Sequence, residues 1–265
     1  MNEKMFQLCE SITEEEMKGL DRERYKANEK YDGTRVMTIK KGTDIFMFGR
    51  RGEIYNERFS EIFEELSKIP GEFIIDGEVI SSDGLFNTLQ RRALTQNKQK
   101  IEELKKIIPI KYMVFDILSI NGNVITNEKL KDRIVILNNL FSNVYANIEL
   151  VEYGEIDILY EKVKKECREG IVVKDMDSFY ESRRSKSWLK RKLFKEHYLT
   201  ITGYSINNKG IRATDNDNNC LQIAGTNGMK VKNEIDTKGY ANILIQYLEK
   251  TELGRYRFIS FRGLK

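Results

Sequence analysis

Lys30-Tyr31-Asp32-Gly33-Thr34-Arg35 is the stretch on which the reading of this chain turns. A lysine stands two residues before an Asp-Gly pair, and an arginine two residues beyond it. Val36-Met37-Thr38-Ile39-Lys40 has the composition of a strand. Asp-Gly predicts a tight reversal between a strand ending near Lys30 and this one, because glycine takes φ > 0 without a Cβ clash. A lysine held at such a bend can point into a cleft. Taken alone, the pattern favours a plain hairpin with a solvated lysine; the rest of the chain changes the odds.

The chain has 265 residues, enough for a large core and an expected two domains. Its 40% hydrophobic and 32% charged content is normal for a soluble globular protein. Pro70 and Pro109 are the two prolines, so no Pro-rich linker exists. No apolar run reaches the roughly 18–20 residues of a membrane span. Met1-Asn2-Glu3-Lys4 lacks the apolar core of a signal peptide. A cytoplasmic protein without membrane attachment is expected. Cys9, Cys167 and Cys220 are distant and odd in number, against both a disulfide framework and structural zinc. His197 is the sole histidine, which excludes histidine-rich metal triads and disfavours Ser-His-Asp chemistry.

Net charge is +4, so distribution matters more than the sum. Ser182 to Lys195 holds seven cations and no acid: Arg183, Arg184, Lys186, Lys190, Arg191, Lys192 and Lys195. Gly254 to Lys265 and Gly84 to Ile101 are also acid-free and basic, the latter through Arg91, Arg92, Lys98 and Lys100. Together they suggest a polyanion-facing surface; any one alone reads better as a solvated face.

Thr13-Glu14-Glu15-Glu16 fits a capping box, with Gly19 ending the short helix. Strands are expected near 36–40 and 44–49, and around Asp76-Gly77-Glu78. Phe59, Ile62, Phe63, Leu66 and Ile69 predict a helix over 57–68. One helix should fill much of 86–106, and others 130–141 and 155–167. Tyr112 to Leu118 reads as a buried strand, and Ile171 to Lys174 as another. After Lys192 short strands at 199–204, 210–213, 221–224 and 257–261 alternate with turn clusters, with a helix near 240–249. A small β-barrel fits this texture better than a sandwich. The boundary is placed near 193, giving domains 1–193 and 194–265.

Five stretches then fall in order: Lys30 to Arg35, Asp76-Gly77-Glu78, Phe115-Asp116, Glu169-Gly170-Ile171-Val172-Val173-Lys174, and Trp188-Leu189-Lys190-Arg191-Lys192. This order resembles the ATP-dependent DNA ligases, within the covalent nucleotidyltransferases that include RNA ligases and capping enzymes. The resemblance runs from about Lys26 to the end. It implies an α+β fold: a nucleotidyltransferase domain with antiparallel sheets and flanking helices, then a C-terminal OB-fold barrel. With 29 residues before Lys30, a compact two-domain enzyme acting as a monomer is expected.

The resemblance implies ATP as cosubstrate, AMP as a covalent intermediate, Mg²⁺, and nicked duplex DNA as partner. By it, Lys30 is the adenylated nucleophile, and Arg35 and Glu78 hold the ribose. Phe115 stacks on adenine, Glu169 is a metal carboxylate, and Glu78 lies near metal. Asp32 lies near the nick's 3′-hydroxyl, and Arg50 reads the 5′-phosphate, with Arg51 as competitor. Lys190 and Lys192 alternate on a strand, so both can face one phosphate; a basic edge strand is the bland alternative. Arg262 and Lys265 orient the departing pyrophosphate. Two departures stand out. The position two before the lysine, often glutamate in that family, is Asn28, and the usual Arg-x-Asp-Lys ending is Arg262-Gly263-Leu264-Lys265. RNA joining or capping, and a non-catalytic nick-binding module, are the alternatives.

Overall fold

The segment Val36 to Lys40 is indeed strand, but Asp32-Gly33 does not close a hairpin. The computed structural model describes residues 5–143, 145–251 and 254–265. In it, the residues before and after Lys30-Tyr31 belong to different sheets. The chain divides into two units, Met1–Arg191 and Lys192–Lys265.

The first unit opens with β1 (Leu8–Ser11), α1 (Glu14–Lys18), β2 (Tyr25–Glu29), β3 (Thr34–Lys41), β4 (Asp44–Phe48) and α2 (Ser60–Lys68). It continues with β5 (Phe73–Ser81), α3 (Phe86–Ala93), α4 (Lys98–Ile107), β6 (Ile110–Ile120), β7 (Asn123–Val124) and α5 (Leu130–Leu140). Then come β8 (Ile148–Leu150), α6 (Ile156–Lys165), β9 (Gly170–Asp175) and β10 (Arg184–Lys192). One sheet has the order β4-β3-β5-β6-β7, with β8 parallel to β6; the other is β1-β10-β9-β2. Most pairs are antiparallel, so the architecture is α+β. The capping box forms as the sequence predicts: Thr13 N donates to Glu16 Oε2 at 2.8 Å and Glu16 N to Thr13 Oγ1 at 3.2 Å.

β6 is buried along nearly its whole length because both of its faces are covered. Tyr112 and Val114 pack with Leu66, Val79 and Leu137 under the helices. Met113 and Phe115 instead join Phe6, Phe48, Tyr180 and Trp188 in a second core. Pairing with β5 slips here: Asp76 opposes Asp116, yet Gly77 opposes Val114. Phe115 is therefore the extra residue of a bulge, a device that re-aims side chains. Gly77 is glycine because a methyl there would sit 2.6 Å from the Met113 carbonyl oxygen. Gly33 follows the same logic. It is not among the glycines with positive φ; a methyl on it would overlap the Val79 carbonyl oxygen of β5.

Two further expectations are corrected, and one alternative falls away. The helix over 86–106 is two helices, because Asn97 caps a new start through a 3.0 Å bond to Lys100 N. β10 lies between β1 and β9, so the bland alternative of a basic edge strand is set aside. The segment 240–249 is strand, described next.

The second unit contains β11 (Lys195–Asn207), β12 (Gly210–Asp215), β13 (Cys220–Ile223), α7 (Gly225–Lys238) and β14 (Ala241–Tyr247). β15 (Glu249–Lys250), β16 (Tyr256–Arg257) and β17 (Ser260–Leu264) follow. Its five-stranded antiparallel sheet has the order β13-β12-β11-β14-β17. Ala241, Ile243 and Ile245 are all buried, a period of two that makes a strand where a helix was expected. The helix lies just before it, where Val231 and Ile235 reach the core and Gly239 ends it at φ 81°. The strand expected over 257–261 breaks at Phe258, whose φ is 53°, so that β16 and β17 take different partners.

Candidate active site

Lys30 leaves β2 with its backbone N–H bonded to the Gly170 carbonyl at 2.9 Å. This bond continues the antiparallel ladder of β2 with β9 and sets Lys30 beside the start of β9, and so beside Glu169. Lys30 Nζ lies 2.8 Å from Glu169 Oε2, and the Glu169 side chain is almost wholly buried. Burial pushes the Lys30 ammonium down, but the charge and hydrogen bond of Glu169, with Glu78 behind, outweigh it and raise it. Glu78 stands on β5 directly across from Arg35 on β3. Burial pushes its carboxyl up to about 7, against the opposing pull of Lys30 and Arg35.

Arg35 forms a bidentate pair with Asp76, Nε to Oδ1 at 2.7 Å and Nη2 to Oδ2 at 2.6 Å. Tyr180 donates its hydroxyl to the same carboxylate at 2.7 Å. The Arg35 guanidinium also lies 4.7 Å from the centre of the Phe115 ring. Phe115 meets Trp188 edge-on, with ring centres 5.8 Å apart.

Lys30, Arg35, Glu78 and Phe115 line one cavity, four of the residues singled out from sequence. Glu169 closes on it through Lys30. Asp32 is half-buried on the connection between the sheets. Arg50 is exposed on the Gly49–Gly52 turn after β4, where its charge still lowers Glu78; that of Arg51 instead acts on Tyr55. Lys190 lies on the interior strand β10. Lys192, Arg262 and Lys265 belong to the second unit. There Lys192 Nζ lies 4.1 Å from the Phe258 ring centre, Arg262 bonds the Gln246 side chain, and Lys265 Nζ lies 5.0 Å from the Tyr198 ring centre.

The cavity also holds residues to which no role was given from sequence. Lys174 is buried, donates to the Tyr153 hydroxyl at 2.8 Å, and sits 3.9 Å from the Trp188 ring centre and 4.4 Å from that of Phe115. Burial pulls its ammonium down to about 7, with Asp116 opposing. The signal was a lone cation closing the apolar run Ile171-Val172-Val173, two residues from Val172 and so on the same face. Asn28 is 3% exposed, and its Nδ2 donates to the Glu29 carbonyl at 2.8 Å. Cys9, Glu29, Tyr31, Val172 and Trp188 also line it.

A covalent chemistry is open to this arrangement: a half-buried amine paired with Glu169 and within the field of Glu78, at the mouth of an aromatic slot. A protein cage for a metal is not. Among the described residues no group of three or more His, Cys, Asp or Glu is placed to hold one. Glu78 and Glu169 instead suit a magnesium ion that arrives on phosphate oxygens and takes only one or two carboxylates. No helix among the described residues is long and apolar enough to cross a membrane.

The family model described as ATP-dependent DNA ligase domain matches residues 5–192. DNA ligase 1 of Methanosarcina barkeri is 30% identical over 193 residues, covering 66% of this chain and 35% of that protein. The bifunctional non-homologous end joining protein LigD of Bacillus subtilis is 32% identical over 203 residues, covering 68% of this chain and 33% of its own. The chain thus spans about a third of the length of these curated relatives. A solved structure from a study of Lig E DNA ligases as a minimal DNA-binding scaffold covers 98% of both chains with a TM-score of 0.72, at 18% identity. That likeness concerns the fold. Family and geometry agree, and the chain belongs to the ATP-dependent DNA ligase domain family.

Proposed function

We propose that the protein seals 5′-phosphate/3′-hydroxyl nicks in duplex DNA at the expense of ATP. One observation carries the reading: the amine of Lys30 stands in the cavity with Glu169 at 2.8 Å and with Glu78, Arg35 and Phe115 around it. In the first step the Lys30 amine, once deprotonated, attacks the α-phosphorus of ATP. The N–P bond forms, the bond to pyrophosphate breaks, and a lysine–AMP phosphoramidate results. The nick's 5′-phosphate oxygen then displaces Lys30 from AMP. Finally the 3′-hydroxyl attacks the activated phosphorus and releases AMP.

Phe115 offers a π face for adenine. Arg35, locked by Asp76, presents its remaining donors to the ribose beside Glu78. Lys190 and Lys192 are assigned to the transferring phosphoryl oxygens, Arg50 to the nick's 5′-phosphate, and Asp32 to the 3′-hydroxyl. Arg262 and Lys265 are assigned to pyrophosphate departure. A magnesium ion held by Glu78 and Glu169 would neutralise phosphate charge. We read residues 1–193 as the adenylation domain and 194–265 as an OB-fold; five antiparallel strands with a helix between the third and fourth in sequence support this.

The test is covalent labelling with ATP and magnesium, followed by peptide mapping and by a sealing assay on DNA and RNA nicks. One AMP on Lys30 and sealing of the DNA nick are expected, and Lys30→Ala should lose both. AMP on another lysine, or full labelling of Lys30→Ala, overturns the assignment; labelling by GTP points to capping. Arg50→Ala should keep labelling and lose transfer to the nick, whereas equal loss of both steps would deny it that role. Lys190→Ala should slow labelling by on the order of a hundredfold, by comparison with lost oxyanion donors.

A further inference from the structure

Arg35 is set by Asp76, and Asp76 is set by residues outside the five ordered motifs. The Arg35 guanidinium carries five N–H donors in a fixed fork. Nε and Nη2 each give one to Asp76, and Nη2 gives its second to the Gln7 carbonyl at 3.3 Å. Nη1 has no hydrogen-bond partner among the described residues, and Arg35 lines the cavity.

A bidentate pair holds guanidinium and carboxylate in one plane, so whatever turns the Asp76 carboxylate also turns Nη1. The last torsion of an aspartate is broad, and Arg35 by itself leaves it loose. Tyr180 fixes it. Its hydroxyl proton goes to Asp76 Oδ2 at 2.7 Å rather than to the Met5 carbonyl at 3.4 Å, and its oxygen accepts from Gln7 N at 3.0 Å. Asp76 is fully buried and Tyr180 nearly so, which keeps water from competing for these bonds.

Gln7, wholly buried just before β1, places Tyr180 in turn. Its Oε1 accepts from Glu181 N at 2.8 Å, and its Nε2 donates to Ser187 Oγ at 2.9 Å. One side chain thus ties the residue after Tyr180 to the residue before Trp188. Between Cys9 and Glu10 of β1, the partner on β10 jumps from Ser185 to Leu189, so Lys186, Ser187 and Trp188 bulge from the ladder. Gln7 grips that bulge at Ser187. The Trp188 and Phe6 ring centres lie 5.6 and 5.5 Å from the Arg35 guanidinium.

We propose that Tyr180 and Gln7 are positioning residues for the nucleotide's ribose: Tyr180 fixes the Asp76 carboxylate, Gln7 fixes Tyr180, and Arg35 Nη1 is thereby aimed at a ribose hydroxyl. The inference rests on the reading of the cavity as a nucleotide site with Arg35 at the ribose. It adds which groups hold that arginine.

The experiment measures covalent nucleotidylation of the full chain, with KM and kcat separated, for ATP, 2′-deoxy-ATP and 3′-deoxy-ATP. Tyr180→Phe keeps the ring that meets Trp188 edge-on and removes the hydroxyl. Gln7→Met keeps the length and removes both polar ends. The natural chain should show a KM about tenfold higher for at least one deoxynucleotide than for ATP, as for one lost hydrogen bond to a charged group. Tyr180→Phe should raise KM for ATP with little change in kcat, and should shrink the deoxy penalty to less than about threefold. Gln7→Met should act in the same direction. A packing role would raise KM for all three nucleotides in proportion and leave the penalty intact. That result in Tyr180→Phe overturns the proposal, and in Gln7→Met it removes Gln7 from it. A natural chain that loads both deoxynucleotides as well as ATP also overturns it, while upholding the nucleotide reading. If no nucleotide labels the chain, that reading itself falls.

Discussion

Gly33 and Lys174 show how a single residue can be conspicuous in sequence for a reason the sequence does not reveal. Gly33 is needed because β5 presses against it. Gly33→Ala should destabilise the fold by about 1–3 kcal/mol, the usual range for forcing a methyl into filled space. An unchanged urea midpoint would refute the contact. Lys174 invites a pH experiment. Its folded pKa is lowered to about 7, while an unfolded lysine titrates near 10.4. Between those values the unfolded chain binds more protons than the folded one, so this residue makes stability rise with pH from about 7 to about 10. Below about 7 both states are protonated and its full penalty persists. Replacing it by methionine should remove that part of the slope, on the order of 1 kcal/mol or more between pH 7 and 9.5. Parallel urea titrations of the natural chain and Lys174→Met check this; equal slopes would refute it.

At the scale of elements, the bulge in β6 decides which core the residues after Phe115 enter. Residues 112 and 114 face the helices, as does Ile117 beyond the bulge, while Met113, Phe115 and Leu118 face the other sheet. The change of parity is the signature of one inserted residue. Phe115→Leu keeps the bulge and most of the volume, so its melting temperature should stay close to that of the natural chain while KM for ATP rises. A large melting shift with unchanged KM would assign Phe115 to packing alone. In the second unit, α7 ends where Gly239 turns left-handed, and Gly239→Ala should cost about 1 kcal/mol there. Thermal unfolding of that variant measures it.

Across the whole molecule, hydrophobic cores respect the division into units. The first unit carries two cores and the second its own, built from Leu199, Ile211, Val231 and Ile243 among others. Residues 1–191 and 192–265 should therefore each fold when expressed separately, the shorter fragment being the less stable because small domains bury less of their surface. Cooperative melting of each fragment is the expected result; a non-cooperative second fragment would show that its core is not self-sufficient. Some cations of the acid-free basic stretches are engaged within the first unit. Arg92 is fully buried, bonded to Glu61 and to the Arg58 and Ile108 carbonyls, and so supports the fold. Arg183 is paired with Glu181, and Arg191 lies 3.7 Å from Glu14.

The sequence by itself determined what depends on neighbours in the chain. The Thr13 capping box, the strand after Gly33 and the helix over Ser60–Lys68 are set by local periodicity, turn chemistry and side-chain type, while the ordered motifs carry the family by resemblance. Its failures share one cause. Short apolar runs do not distinguish helix from strand without a partner to pack against, so Ala241–Tyr247 was misread and α7 was missed. Only the tertiary structure decided that Lys30 joins two sheets, that its amine meets Glu169 139 positions away, and that Arg35 is clasped by Asp76 41 positions away. Strand partner and register are set by which surfaces exclude water together, and that is settled between segments far apart in the chain.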